Sequence, residues 1–253
     1  MIRMVVVDLD RTILHQDGSV SVYTRRVLAR CRASGMRLVI ASARPMRTLR
    51  AYIDLLRADA AASGNGALVW TPEGEAERPL DHDAAERFIA RVLKAYPEST
   101  ISAEIDDTLY ANFEIPEWAP VMTDFSRMPQ GGVRKVIVTY VDEAHLAAVR
   151  KMLEPGMRLS VAHRTLIQVQ SEAASKWNAV VMLAERWAIR PSEIACFGDD
   201  WDDLEMIEHA GWGVAVDNAL QSVKNVADEV TASNEQDGPA RAIAKRLGWE
   251  VEA

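Results

Sequence analysis

Four apolar residues, Met4-Val5-Val6-Val7, run straight into two carboxylates, Asp8 and Asp10. A short, unbroken apolar run of this kind suits a fully buried strand. In extended chain Asp8 and Asp10 project to the same side, roughly 6–7 Å apart along the backbone. A stable core has no use for two like charges at the mouth of a buried strand. A site that binds a cation, or that needs one carboxylate as nucleophile and another as acid, does.

The same design recurs along the chain. Residues 22–34 read as a helix with Val27, Leu28 and Cys31 on one face, closed by Gly35. Residues 36–41 form a second buried strand that ends at Ser42-Ala43-Arg44-Pro45, and Pro45 suits the first position of a helix over 46–57. Far downstream, residues 175–188 read as a helix. Residues 194–197 form another buried strand, ending in Gly198-Asp199-Asp200-Trp201-Asp202-Asp203 before a helix through His209. A short strand over 213–216, a last strand over 229–232 and a helix over 239–247 follow. Strand, loop and helix in alternation are the rhythm of a parallel sheet. Between these parts, residues 79–166 combine strands, tight turns and a few helices, which predicts an antiparallel α+β module. The expected fold is α/β: a Rossmann-like parallel-sheet core over 1–78 and 167–253, with an inserted α+β cap domain over 79–166.

Composition narrows the function. The 253 residues are 49% hydrophobic, enough for a large domain with an insertion. A net charge of −8 argues against a nucleic-acid groove, so an anionic substrate needs a local positive or metal-neutralised site. No apolar run reaches membrane-spanning length. The first strand starts so near Met1 that no signal peptide is expected, and two cysteines, Cys31 and Cys196, fit a reduced, cytoplasmic protein with core thiols. His15, His82, His145, His163 and His209 lack metal-ligand spacing and are expected to be structural or surface residues.

In a parallel sheet the carboxyl ends of the strands share one edge, so Asp8/Asp10, Ser42/Arg44 and the 199–203 acidic run should converge. Several carboxylates in one cleft repel unless a cation is present, and oxygen ligands suit Mg²⁺. Taken singly, each cluster has an ordinary alternative. The 199–203 run can be an acidic helix start, Ser42 a helix cap, Lys176 a surface lysine and Arg44 half of a surface ion pair, while Asn65 and Asn218 can be turn residues. Lys176 stands out because it sits in a first helical turn, where the dipole disfavours a cation. Together, a carboxylate nucleophile, a neighbouring acid, a metal site, a hydroxyl and a lysine make a phosphoryl-transfer kit.

At this point the chain resembles the haloacid-dehalogenase-like phosphatases, and within them the Cof-type subfamily with a large α/β cap. Asp8-Leu9-Asp10-Arg11-Thr12 matches a DxDGT motif, Ala41-Ser42-Ala43-Arg44 matches A-T/S-G-R, Lys176 falls at the family's lysine, and the run from Gly198 to Asp203 matches GDxxND. Asn65-Gly66-Ala67, Asn218-Ala219 and the stretch from Asn234 to Gly238 echo smaller signatures. The resemblance implies that Asp8 is the nucleophile, forming an aspartyl-phosphate, and that Asp10 is the acid/base. It implies that Ser42 and Lys176 hold phosphoryl oxygens. It also implies Mg²⁺ bound by Asp8, the Asp10 carbonyl and Asp199, with Asp203 in support. Ala43, Arg44, Asn65 and Asn218 complete the expected substrate site, over which the cap would close. The expected reaction is Mg²⁺-dependent hydrolysis of a small phosphorylated metabolite, a sugar or sugar-acid phosphate, by a monomer or homodimer with no nucleic-acid or membrane partner. A phosphomutase, a dedicated sugar-phosphate phosphatase or a non-catalytic phosphometabolite-binding relative are the alternatives. The chain departs from the family at Arg11, Ala43, Trp177 and Asp202. If position 11 needs positive φ, an arginine there is strained; Trp177 is expected near the cleft, and Asp202 beside the metal.

Overall fold

A computed structural model describes residues 1–162 and 165–250; His163, read above as structural or surface, lies outside them. In chain order the strands are β1 (Met4–Val7), β2 (Arg37–Ala41), β3 (Ala60–Ser63), β4 (Leu68–Thr71), β5 (Gly74–Glu77), β6 (Ile101–Ile105), β7 (Thr108–Ala111), β8 (Val121–Met122), β9 (Val133–Thr139), β10 (Met157–Ala162), β11 (Leu166–Ser171), β12 (Ile194–Gly198), β13 (Trp212–Val216) and β14 (Glu229–Thr231). The α-helices are α1 (Val22–Ala33), α2 (Met46–Leu56), α3 (His82–Ala95), α4 (Glu143–Arg150), α5 (Lys176–Arg186), α6 (Leu204–His209), α7 (Gln221–Val226) and α8 (Gly238–Leu247).

The strands form two sheets. The first runs β14-β13-β12-β1-β2-β3-β4-β5. Its pairs from β14 through β3 are parallel, and β4 joins antiparallel to β3. Strand β1 is central, flanked by β12 and β2, and all four of its residues are buried. That explains its unbroken apolar sequence: helices must cover both faces of a parallel sheet. On one face Val180 and Leu183 of α5 and Met206 and Ile207 of α6 pack with Met4, Val6, Val39 and Cys196. Helices α1 and α8 pack together and against β2, β13 and β14. Cys31 and Cys196 are both buried free thiols.

The second sheet runs β10-β11-β9-β6-β7-β8 and is antiparallel except where β7 meets β8. Alternation sets its faces. Ile101, Ala103, Ile105, Val136, Val138, Ile167 and Val169 pack with Phe88, Ile89 and Val92 of α3 and Val149 of α4.

The chain divides into two compact units, Met1–Arg44, Thr48–Ala76 and Ser175–Ala253 in one, and Pro45–Arg47 with Glu77–Ala174 in the other. The return crossing therefore falls after β11 and not at 166/167. Leu166 to Ser171 pairs with β9 and β10, so this strand belongs wholly to the second sheet. Two core elements were not expected. Strand β3 is Ala60-Ala61-Ala62-Ser63, and alanine carries little strand signal. Helix α7 is six residues long, too short to display helical periodicity.

Candidate active site

The turn after β1 is built around one carbonyl. Leu9 O accepts from the amides of Thr12, Ile13 and Leu14 at 3.2, 3.1 and 2.9 Å. This tight loop sends Asp8 inward and Asp10 outward: Asp8 is buried, whereas the Asp10 side chain is 51% exposed. Asp10 does not stand free. Arg44 Nη2 and Nε donate to its two carboxylate oxygens at 2.6 and 2.7 Å, a bidentate clamp between the ends of β1 and β2. The clamp holds the Arg44 guanidinium above its ordinary pKa, through the hydrogen bonds to Asp10.

Lys176 opens α5. Ser175 caps that helix by accepting from Asn178 N at 3.0 Å. The Lys176 ammonium is buried and donates to Asp8 Oδ1 at 2.7 Å and to Asp203 Oδ1 at 2.6 Å. Two carboxylates answer the unfavourable dipole position. Burial opposes its charge, but Asp203 and Asp8 outweigh burial and hold its pKa above the ordinary lysine value.

The acidic run after β12 folds back on itself. Asp203 Oδ2 accepts from the amides of Asp199 and Asp200 at 2.9 and 3.0 Å. A Cβ at Gly198 would lie 2.5 Å from the Asp203 side chain, so only glycine leaves room for this return. Asp199 is buried; Thr12 Oγ1 donates to its Oδ1 at 3.1 Å, and Arg11 Nε stands 3.7 Å from its Oδ2.

Asp8, Asp199 and Asp203 offer carboxylate oxygens that lie within 4.8 Å of one another, all three residues buried. One buried ammonium, on Asp8 and Asp203, and the exposed Arg11 guanidinium beside Asp199 face three carboxylates. Burial pushes the Asp8 carboxyl well above the ordinary range, with Asp203 and Asp199 adding to the shift and Lys176 opposing it. Burial, then Asp203, pushes Asp199 up to about 7. This all-oxygen cluster, with more carboxylates than buried cations, fits a hard divalent cation. Asp203 has both oxygens in hydrogen bonds, to Lys176 and to the two amides, whereas Asp8 accepts from Lys176 through Oδ1.

The other expected site residues are placed as follows. Ser42 is buried, and its Oγ accepts from Arg44 N at 3.2 Å, so it shapes the turn through Ala43 rather than capping α2. Asn65 is buried at φ +55, donates from its backbone to Ser42 O at 2.9 Å and from Nδ2 to Asp202 Oδ2 at 2.6 Å. That contact draws Asp202 toward Asn65, and Asp202 is not among the three clustered carboxylates. Asn218 Nδ2 donates to Arg11 O at 2.7 Å and its Oδ1 accepts from Asn234 N at 3.0 Å, so it braces the loop after β1. Asn234 Nδ2 adds a bond to Leu14 O at 2.8 Å. Trp177 also differs: its ring packs on the core and lies 5.8 Å from the His209 ring. Thr12 has no role from sequence, and Arg44, expected either to contact substrate or to form a surface ion pair, pairs with Asp10. Thr12 carried a signal, a hydroxyl locked into the Asp8 motif, but its partner lies 187 positions away.

A family model described as haloacid dehalogenase-like hydrolase matches residues 5–243. The chain is 25% identical over 259 residues to the 5-amino-6-(5-phospho-D-ribitylamino)uracil phosphatase YitU of Bacillus subtilis (strain 168), covering 95% of this chain and 96% of that protein. A second protein of the same organism, the 5-amino-6-(5-phospho-D-ribitylamino)uracil phosphatase YcsE, is 25% identical over 248 residues, covering 96% of this chain and 94% of its own. The solved structure of a haloacid dehalogenase-like hydrolase from Bacteroides thetaiotaomicron shares the fold, with a TM-score of 0.84 at 24% identity over 98% of this chain and 100% of that one.

Proposed function

The chain belongs to the haloacid dehalogenase-like hydrolase family, as an enzyme of its Cof-type phosphatase branch, and from that premise we propose that it hydrolyses a small phosphorylated metabolite, a sugar or sugar-acid phosphate, with Mg²⁺ and through an aspartyl-phosphate. The observation that carries the proposal is the buried Asp8 carboxylate, held at 2.7 Å by Lys176 beside Asp199 and Asp203.

In this reading Asp8 attacks phosphorus, and the bond to the leaving oxygen breaks as Asp10 delivers a proton to it. Asp10 then takes a proton from the water that opens the phosphoaspartate. Its exposure supports this role, because the carboxyl can reach a leaving group; both of its oxygens accept from Arg44, so that pair has to open for Asp10 to carry the proton. Lys176 and Ser42 contribute positive charge and a hydroxyl for the phosphoryl oxygens. Mg²⁺ would be held by Asp8, Asp199 and the Asp10 carbonyl, with Asp203 positioning the site, and when bound would neutralise phosphate charge. Relatives named for a phosphorylated ribityl compound support a polyol-like phosphate ester. Two buried free thiols support a reducing, cytoplasmic setting, and among the described residues no helix is long and apolar enough to cross a membrane.

The direct test is phosphate release from p-nitrophenyl phosphate and from a panel of sugar, sugar-acid and polyol phosphates, with Mg²⁺ and with chelator. Release that depends on Mg²⁺ and favours one member of the panel is expected. Binding of phosphate esters with no release from any of them would overturn the reading.

A further inference from the structure

Arg11 occupies the left-handed region, with φ +60. Glycine or asparagine adopts this conformation with little strain; an arginine does so at a cost. Backbone strain of this sort persists where the surrounding structure over-determines it, and such positions cluster at functional sites. Here the surroundings are specific. Asn218 Nδ2 holds the Arg11 carbonyl at 2.7 Å, and Arg11 Nη2 donates to the Asn218 carbonyl at 3.4 Å. The result is a guanidinium whose Nε stands 3.7 Å from Asp199 Oδ2, while the side chain as a whole is 56% exposed. A permanent positive charge is thus placed against a carboxylate assigned above to the divalent cation. The other Asp199 oxygen accepts from Thr12, so one short loop addresses both.

We propose that Arg11 is a positioning residue that weakens the divalent-cation site, its guanidinium competing with the cation for Asp199. The inference rests on the reading of Asp8 and Asp199 as cation ligands. It makes cation affinity a property set by the loop after β1 as well as by the ligands. A unit charge 3.7 Å from Asp199 corresponds to about a five- to tenfold factor in an equilibrium even at the dielectric constant of water. Because the side chain is partly exposed, that factor should fall with added salt.

The test is isothermal titration calorimetry of metal-stripped, full-length protein with MgCl₂ and with MnCl₂, at low and at high salt. Arg11→Gln keeps the strained backbone and removes the charge, with a shorter polar side chain in its place. It should bind either cation about five- to tenfold more tightly than the unmodified protein at low salt, with the gap closing at high salt. Arg11→Lys restores the charge and should stay within about twofold of the unmodified protein. Arg11→Gly relieves the strain and should match Arg11→Gln in affinity while unfolding at a higher temperature without cation. Equal or weaker binding by Arg11→Gln sinks the proposal, as does a gain indifferent to salt, which would assign the effect to packing. Cation heats that are equal in every variant overturn the role of Arg11 alone; no cation heat in any of them overturns the cation reading as well.

Discussion

Removing the Lys176 ammonium leaves Asp8 and Asp203 facing each other in a buried site with no counter-charge between them. Breaking a buried pair from one side is costly because the remaining charges stay desolvated. Lys176→Met should therefore lower unfolding free energy by about 3–5 kcal/mol in the absence of divalent cation. Urea denaturation of metal-free protein measures this, and a loss below about 1 kcal/mol would show that the ammonium is not what balances the cluster. Asp8→Asn acts in the opposite direction on charge, since it removes one of three crowded carboxylates and keeps the shape. Phosphate release should fall about a thousandfold or more while the thermal midpoint holds or rises. Full activity in Asp8→Asn would dismiss Asp8 as the nucleophile. Of these residues, Asp8, Asp10, Asp199 and Lys176 were legible as a group because unusual charges sit beside apolar runs. The partners of each were not. A bidentate clamp from Arg44 to Asp10 depends on two strand ends being neighbours, and the bond from the Asn218 amide to the Arg11 carbonyl joins loops 207 positions apart.

At the scale of elements, the loop over Gly64–Gly66 meets the start of α5 in close contact. A Cβ at Gly66 would lie 2.3 Å from the Ser175 carbonyl oxygen, at a backbone φ of +89. Ser175 is the cap of the helix that carries Lys176, so the chain must part at the position the site depends on. Gly35 tests this well, because its φ is also positive, +83, yet nothing lies within 4 Å of its Cβ position. Gly35→Ala should lose only about 1 kcal/mol from the backbone term. Gly66→Ala should lose about 2–4 kcal/mol and activity with it. Equal losses in chemical denaturation would mean that steric approach to Ser175 is unimportant. Elements differed in how plainly they announced themselves. Strands β1 and β12 were readable as apolar runs ending in carboxylates. Strand β3 was hidden by its three alanines, which β2 and β4 bury on either side without any sequence periodicity of its own. Strand β11 lies between β10 and β9 in the second sheet, and its register comes from that pairing.

For the molecule as a whole, the three-carboxylate cluster links stability to pH and to cation. Asp199, with its pKa up to about 7, binds its proton more tightly folded than unfolded, where the ordinary value of 3.8 applies. The sign follows: a raised carboxylate contributes stability when protonated, and that contribution is lost as pH climbs from the unfolded value through about 7. Metal-free protein should therefore lose thermal stability across this interval. Mg²⁺ should raise the midpoint more at about pH 8 than at about pH 6, where protons compete for the same oxygens. Differential scanning calorimetry with and without Mg²⁺ decides it, and a cation effect that is flat across that range would contradict the assignment. The sequence by itself determined that this chain builds a parallel α/β core with carboxylates at its strand ends, because burial on both faces demands apolar runs and a charge at their mouth has no role in packing. It also carried the order of motifs that marks the family. Only the tertiary structure decided which charge meets which: Lys176 lies 168 positions from Asp8, and Arg11 is strained beside Asp199. Side-chain pairing and positive φ are set by how distant segments close on one another, and local sequence does not encode that closure.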